Sequence, residues 1–332
     1  MKVLIAYDGS SCAESAIDDL ARAGLPETGE AEVIAVAEVW LPPPDVIDAE
    51  AEEDSDDEAS AYLEEITDRY RERGEKAVAE ADMFARHARL RVQNALPDWH
   101  VGATTTYGSP AWEILTKADT FRPDLIVVGS HGQSALSRFI LGSISQKVLT
   151  EARCSVRIAR GRIEVEPAPQ RIVIGFDGSK GAKAAVDAVA LRNWPDGTEV
   201  RLITVSDPVV PSAIGRFLPP IVNAIDEINV SEHKWLEKRA GNALKKLSRA
   251  GLKADVRVLP GNPKNVIMDE AEHWSADCIF VGANAWGSHL ERFLVGSTSA
   301  AIAARAHCSV EIVRTQSVKK ATPTPASNGA KR

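Results

Sequence analysis

The sequence predicts an α/β fold: two repeated, doubly wound domains, each a parallel sheet of five strands with helices on both faces. Three observations lead there. The chain repeats itself, with five blocks recurring in the same order, and self-similarity on this scale has to be settled before any other reading. "KVLIAYDGS" at 2–10 returns as "RIVIGFDGS" at 171–179, "YGSPAWEIL" at 107–115 as "PGNPKNVIM" at 260–268, and "PDLIVVG" at 123–129 as "ADCIFVG" at 276–282. "RFILGSIS" is matched by "RFLVGSTS", and "CSVRIAR" by "CSVEIVR". Within each copy, short β-branched runs alternate with longer helical stretches. Those runs are continuously apolar instead of alternating, as strands buried on both faces of a parallel sheet read.

In the first copy the pattern predicts strands near 2–7, 32–39, 100–106, 124–128 and 154–159. The helices fall between them, in "SCAESAIDDLARAG", the long "SAYLEEITDRYRERGEKAVAEADMFARHAR", "PAWEILTKADTF" and "SISQKVLTEA". Right-handed crossovers wind such helices onto both faces. The domains span 1–160 and 170–315, joined by the polar, proline-bearing linker 161–169 in "GRIEVEPAPQ". The tail 316–332 has almost no apolar content and reads as disordered. Extra residues in the first copy fall in the acidic "PPPDVIDAEAEEDSDDEAS", a surface loop or the solvated lead-in to a helix.

With 332 residues, 44% of them hydrophobic and 26% charged, the chain can bury a core in each domain. A net charge of −8 argues against a broad nucleic-acid surface, which needs clustered Lys and Arg. No apolar run approaches membrane-spanning length and the N-terminus is too quickly polar for a signal peptide, so the cytoplasm is the expected location. The four cysteines lack zinc-site spacing. Cys154, Cys278 and Cys308 lie in or beside apolar runs, where reduced cysteine serves as a small core residue.

In a doubly wound sheet the ligand sits beyond the carboxyl ends of the strands, at the point where strand order reverses. Asp8 follows the first strand there, Val36 lies near the end of the second, and a glycine loop follows the fourth. Gly129 and Gly132 let backbone approach an anion closely, while Gly142 and Ser143 open a helix whose free N–H groups favour phosphate. Each residue also has a plain structural reading. Ser143 can be a helix N-cap, Asp8 a turn residue, the glycines a tight turn, and His131 a loop residue. The conjunction is more specific than its parts: strand, G-x-x-G, nine residues, then G-S before a helix.

With that spacing the sequence resembles the universal stress protein family in its tandem two-domain form, from "VLIAYDGS" to "CSVEIVR". The resemblance implies an adenine-nucleotide α-hydrolase-like fold, dimer-like packing through the last strand, and ATP held with Mg²⁺ or Mn²⁺. It further implies that Asp8 contacts the adenosine part, that Val36 meets adenine through its backbone, and that Gly129, Gly132, Gly142 and Ser143 hold ribose and phosphates. It places a pseudo-twofold axis through the Cys154 and Cys308 strands and leaves association of two chains open.

The second copy departs from the pattern. Asp177, Val205, Gly282, Gly296 and Ser297 are kept, but aligning Gly296-Ser297 with Gly142-Ser143 puts Trp286 opposite Gly132, with Gly287 one position late. An indole there crowds phosphate, so nucleotide binding is expected to be weak, altered or absent, with Ser297 reading as an N-cap. No Walker motif, nucleophile elbow, H-E-x-x-H or kinase set occurs. The expectation is therefore an ATP-binding stress-response protein acting by nucleotide-dependent regulation. A slow ATPase or nucleotidyl-transfer enzyme, and an interaction module with a vestigial site, are the alternatives.

Overall fold

Apolar runs too short for a helix and buried on both sides become the strands of a computed structural model that describes residues 1–39, 57–132, 141–160, 169–206, 219–283 and 295–315. In the first half β1 (Lys2–Ala6), β2 (Glu30–Ala37), β3 (His100–Tyr107), β4 (Leu125–Gly129) and β5 (Ser155–Ala159) fall within two residues of the expected runs. The helices between them are α1 (Ser11–Asp18), α2 (Asp57–Ala95), α3 (Pro110–Phe121) and α4 (Ser143–Glu151). The second half repeats the scheme with β6 (Arg171–Gly175), α5 (Lys180–Ala190), β7 (Glu199–Ser206), α6 (Pro219–Arg249), β8 (Lys253–Pro260), α7 (Pro263–His273), β9 (Cys278–Gly282), α8 (Ser297–Arg305) and β10 (Ser309–Val313).

Two helices differ from expectation. The run "SCAESAIDDLARAG" does not stay α-helical: α1 stops at Asp18 and a 3₁₀ turn, Asp19–Arg22, carries the chain on. That tightening turns Asp19 inward, where it is 5% exposed. Helix α2 is longer than the expected stretch 60–89, running from Asp57 to Ala95 with Val92 of its last turns in the core. Ala81, Ala85, Ala88 and Val92, spaced four, three and four, form the buried stripe. The acidic stretch before Asp57, the linker and the tail lie outside the described residues.

All ten strands join one sheet in the order β3-β2-β1-β4-β5-β10-β9-β6-β7-β8. Every pairing is parallel except the central one, where β5 and β10 run antiparallel with Arg157 opposite Glu311. Successive residues of β1 explain the continuous apolar runs: Leu4 joins the core under α3 and α4, while Val3 and Ile5 join the one under α1 and α2. On the α3/α4 face the core crosses the central join without a break, through Val156 and Ile158 of β5 and Val310 and Ile312 of β10. Each fully buried aliphatic side chain of this kind contributes about 1.5–3 kcal/mol.

The opposite face is built differently at the join. Arg157, fully buried, donates to Asp19 at 2.5 and 3.2 Å, to Glu311 at 3.5 Å and to the Cys278 thiol at 3.2 Å. Arg192 closes on the same Glu311 carboxylate at 2.5 and 2.8 Å, and Ser309 donates to Asp19 at 2.8 Å. Burial pushes the Arg157 guanidinium down, but Asp19, Cys278 and Glu311 outweigh it and hold it charged, well above its ordinary range. Two further arginines tie the halves reciprocally. Arg160 donates to the Ala303 and Ala304 carbonyls at the end of α8, and Arg314 to those of Leu149 and Thr150 at the end of α4. A cation on those last-turn carbonyls is favoured by the helix dipole.

Cys154, Cys278 and Cys308 are buried, as expected, and burial pushes the Cys154 and Cys278 thiols up to about 12 and raises Cys308 as well. Among the described residues, no helix is long and apolar enough to cross a membrane.

Candidate functional site

Strand β1 is flanked by β2 on one side and β4 on the other, so the chain leaves its carboxyl end over a point where strand order reverses. There the backbone turns at "DGSS". Asp8 Oδ1 accepts the Ser10 N–H at 3.0 Å, and Ser10 Oγ in turn caps α1 by accepting from Ala13 at 3.1 Å. Asp177 and Ser179 repeat both bonds in the second half, at 2.8 and 3.1 Å. The turn reading of Asp8 is therefore correct, and the same carboxylate also faces a cavity.

That cavity, of about 410 Å³, opens at the switch point of the first half. Asp8, Val36, Gly129 and Gly132 all line it, together with Tyr7, His131, Ile144 and Ser145. A Cβ on Gly132 would stand 2.9 Å from Asp8 Oδ2, so a side chain there requires that carboxylate to shift. Gly142 and Ser143 do not reach the wall. Gly142 instead donates its N–H to the Ser130 carbonyl at 2.9 Å.

Ser143 is not the N-cap of α4, because Gly142, with φ −61° and ψ 151°, occupies that position and offers no side-chain cap. Gly296 does the same for α8, so Ser297 is not an N-cap either. In both cases the helix begins at the serine itself, leaving its first N–H groups without a side-chain partner from the cap. The next serine, two residues on, has a role that sequence reasoning missed. Ser145 Oγ donates to the Gly129 carbonyl at 2.7 Å, and Ser299 Oγ to that of Gly282 at 2.9 Å. The signal was present in "GSIS" and "GSTS", which keep both serines.

The long helix α2 supplies a further wall that the motif did not reveal. Ala77, Glu80, Ala81 and Phe84 all face the cavity from it. The small alanines let the helix lie close, and Phe84 meets Tyr7 edge to face with ring centroids 6.3 Å apart. Tyr7 donates to Glu14, which pairs with Arg91 of α2, so the wall is tied to α1 by charge as well as packing. Burial raises the Tyr7 pKa; Arg91 opposes the rise and Asp8 adds to it, and the phenol keeps its proton. His131 shifts down, through burial and then the nearby Arg160, and sits at the cavity as a neutral imidazole. The charged groups on the wall are Asp8, Glu38 and Glu80, with no lysine or arginine among the described lining residues.

The corresponding cavity of the second half is about 140 Å³. Asp177, Val205 and Gly282 line it, whereas Gly296 and Ser297 do not. No residue of α6 appears among its described lining. Helix and strand also approach more closely: a Cβ on Gly282 would fall 2.1 Å from the Gly181 backbone, against 3.0 Å between Gly129 and Cys12 in the first half. Trp286 and Gly287, which sequence reasoning made responsible for the difference, lie outside the described residues.

The repeat, the strand order and the placement of the glycine loop agree with what a sequence profile finds independently. Residues 1–160 and 169–314 each match the Universal stress protein family. The chain belongs to that family. A universal stress protein of Thermus aquaticus is 34% identical over 162 residues, covering 48% of this chain and 97% of its own. One from Bacillus subtilis is 27% identical over 171 residues, covering 48% and 98%. A Mycobacterium tuberculosis relative is 30% identical over 93 residues, which span 24% of this chain and 32% of that protein. Among solved structures, a universal stress protein from Archaeoglobus fulgidus superposes with a TM-score of 0.58 at 19% identity, covering 94% of this chain and 96% of its own. A universal stress protein solved in complex with cAMP is 21% identical and covers 45% of this chain and 99% of its own, with a TM-score of 0.29.

Proposed function

We propose that the first half of this universal stress protein binds ATP together with Mg²⁺ or Mn²⁺, and that occupancy regulates what the protein binds instead of driving catalysis. The observation that carries this reading is the cavity of about 410 Å³ at the β1 switch point, whose wall contains Asp8, Val36, Gly129 and Gly132. Its volume is in the range of small-molecule sites, and that of the second half is below it. A side chain at Gly132 would press on the Asp8 carboxylate that faces the cavity. The start of α4, with N–H groups that its glycine cap does not satisfy, supplies the dipole end suited to phosphate.

The acidic wall argues for the cation. Three carboxylates beside a triphosphate would repel it, and a divalent ion would offset that charge. The neutral His131 adds no positive charge of its own. We read the two halves as an intrachain pseudo-dimer, supported by the antiparallel β5–β10 pair and the reciprocal Arg160 and Arg314 caps. The second half serves as the partner domain and not as a second ATP site.

Thermal unfolding with ATP, with and without Mg²⁺, tests the reading, since a ligand of the native state must stabilise it by mass action. ATP with Mg²⁺ is expected to raise the melting temperature and a chelator to remove most of the rise. No rise with either cation at millimolar ATP contradicts the proposal. Accumulation of ADP over many turnovers would favour the slow-ATPase alternative.

A further inference from the structure

The four cysteines are not alike. Cys154, Cys278 and Cys308 are buried, with thiols that burial pushes up, and a thiol that forms so little thiolate is a poor nucleophile. Cys12 is half-buried and sits in the first turn of α1, at the positive end of the helix dipole. Its sulfur ends a chain of donors. The Ser130 hydroxyl donates to Cys12 Sγ at 3.9 Å, and His131 Nδ1 lies 3.0 Å from the same hydroxyl oxygen. With its proton on Nδ1, the imidazole donates to Ser130, Ser130 donates to sulfur, and negative charge forming on sulfur meets both dipoles. Arg160 adds a cation. Burial pushes its guanidinium down to about 10, Cys308 and Cys12 oppose that fall, and at neutral pH it keeps its charge. Its Nη2 donates to the Ala303 and Ala304 carbonyls, whereas Nε and Nη1, both buried, have no partner among the described residues. Beside Cys12, then, stand N–H donors suited to an oxygen bound to its sulfur.

The cluster belongs to the first half alone. "DGSSC" returns as "DGSKG" and "VVGS" as "FVGA", so Gly181 and Ala283 stand where Cys12 and Ser130 do. It also adjoins the nucleotide cradle. A Cβ on Gly129 would come 3.0 Å from the Cys12 carbonyl and 3.1 Å from Cys12 Cβ, so helix and strand end are in contact there. The Ser130 carbonyl holds the Gly142 N–H, and His131 lines the cavity. We propose that Cys12 is a modification site for peroxides, and that an oxygen added to its sulfur displaces Ser130 and His131 and with them the wall of the first-half cavity. The Cys12 thiolate attacks one oxygen of hydrogen peroxide or an alkyl hydroperoxide. The S–O bond forms as the O–O bond breaks, sulfur is oxidised to the sulfenic acid, and the departing hydroxide or alkoxide takes a proton from solvent and leaves as water or alcohol.

The test treats the reduced full chain with hydrogen peroxide and dimedone, which traps sulfenic acid, and locates the adduct by peptide mass, with far-UV circular dichroism as the folding control. A single adduct on Cys12 is expected. Cys12→Ser should give none, and Ser130→Ala should slow labelling about tenfold with unchanged helicity. Adducts spread over Cys154, Cys278 and Cys308, or a Cys12 that reacts no faster than in the urea-unfolded chain, overturn the proposal. The effect on nucleotide rests on the ATP reading above, so the displacement is read in two ways. Amide exchange across 127–132 should rise on oxidation whether or not nucleotide binds, and ATP with Mg²⁺ should lose affinity for the oxidised wild type but not for peroxide-treated Cys12→Ser. Unchanged exchange, or unchanged affinity in a chain that binds ATP when reduced, overturns the link from Cys12 to the cavity.

Discussion

Replacing Gly132 by tryptophan imposes on the first half the residue that the second carries at the aligned position, and its effect can be worked out in advance. Even a Cβ at 132 would lie 2.9 Å from Asp8 Oδ2, and that carboxylate cannot simply swing away because its other oxygen holds the Ser10 N–H. An indole therefore displaces the loop or fills the mouth of the 410 Å³ cavity. Losing two charge-assisted hydrogen bonds to phosphate, at about 1.5–3 kcal/mol each, weakens ATP by roughly 10²- to 10⁴-fold. At a hundredfold excess over its dissociation constant, ATP stabilises the wild type by about 2.7 kcal/mol, or roughly 5–10 °C for a domain of this size. With Gly132→Trp the shift should fall below about 1 °C, measured against the variant's own melting temperature without nucleotide. Retention of the wild-type shift would show that the ligand sits elsewhere and refute the assignment of the cradle.

Three other perturbations follow from the same geometry. Ser145→Ala removes the 2.7 Å bond that anchors α4 to the Gly129 carbonyl. It should cost about 1–2 kcal/mol in chemical denaturation and weaken ATP, whereas Ser299→Ala should cost as much and leave ATP binding alone. Arg157→Met takes the guanidinium away from the buried Asp19 carboxylate, while Arg192 still holds Glu311, and should destabilise the chain by about 3–5 kcal/mol; a loss under 1 kcal/mol would mean the Arg157–Asp19 pair is not what holds the halves. His131 has a folded-state pKa below its ordinary 6.5, so below that pH the unfolded chain takes up the proton more readily. Stability should therefore decline as pH falls from about 6.5, and His131→Gln should decline less over the same range.

Much of the fold was legible because a parallel sheet leaves a plain mark: "VLI", "LIVV" and "IVI" in β1, β4 and β6 are apolar at every step, and each step feeds a core on one face or the other. The central join was not readable from periodicity. Its direction came from the family resemblance, and its charges were hidden because Arg157 and Glu311 each look like one misfit in an apolar run. Comparing the copies makes them visible, since "SVRIA" and "SVEIV" carry opposite charges at the same position and that position is where the strands face each other. A second exchange behaves alike. Glu32 pairs with Lys117 in the first half, and Arg201 with Glu270 at the matching places in the second. Each copy compensated its own swap, so the halves are no longer interchangeable.

The site divides in the same way. The motif residues near the strand ends, Asp8, Val36, Gly129 and Gly132, converge because strand ends are fixed by the sheet. Gly142 and Ser143 belong to a loop and a helix start, and there spacing alone did not say which residue would face inward; Ile144 and Ser145 do. The wall from α2 was illegible for another reason: Ala77, Ala81 and Phe84 have the ordinary spacing of a core-facing stripe, and only the tertiary path of the helix brings them over the cavity.

The asymmetry between the halves is the central claim, and calorimetric titration of the full chain with ATP and Mg²⁺ tests it most directly. One ATP per chain, abolished by Gly132→Trp and untouched by Ser299→Ala, is the predicted result. Two equivalent sites per chain, or a single site that survives Gly132→Trp, would contradict it.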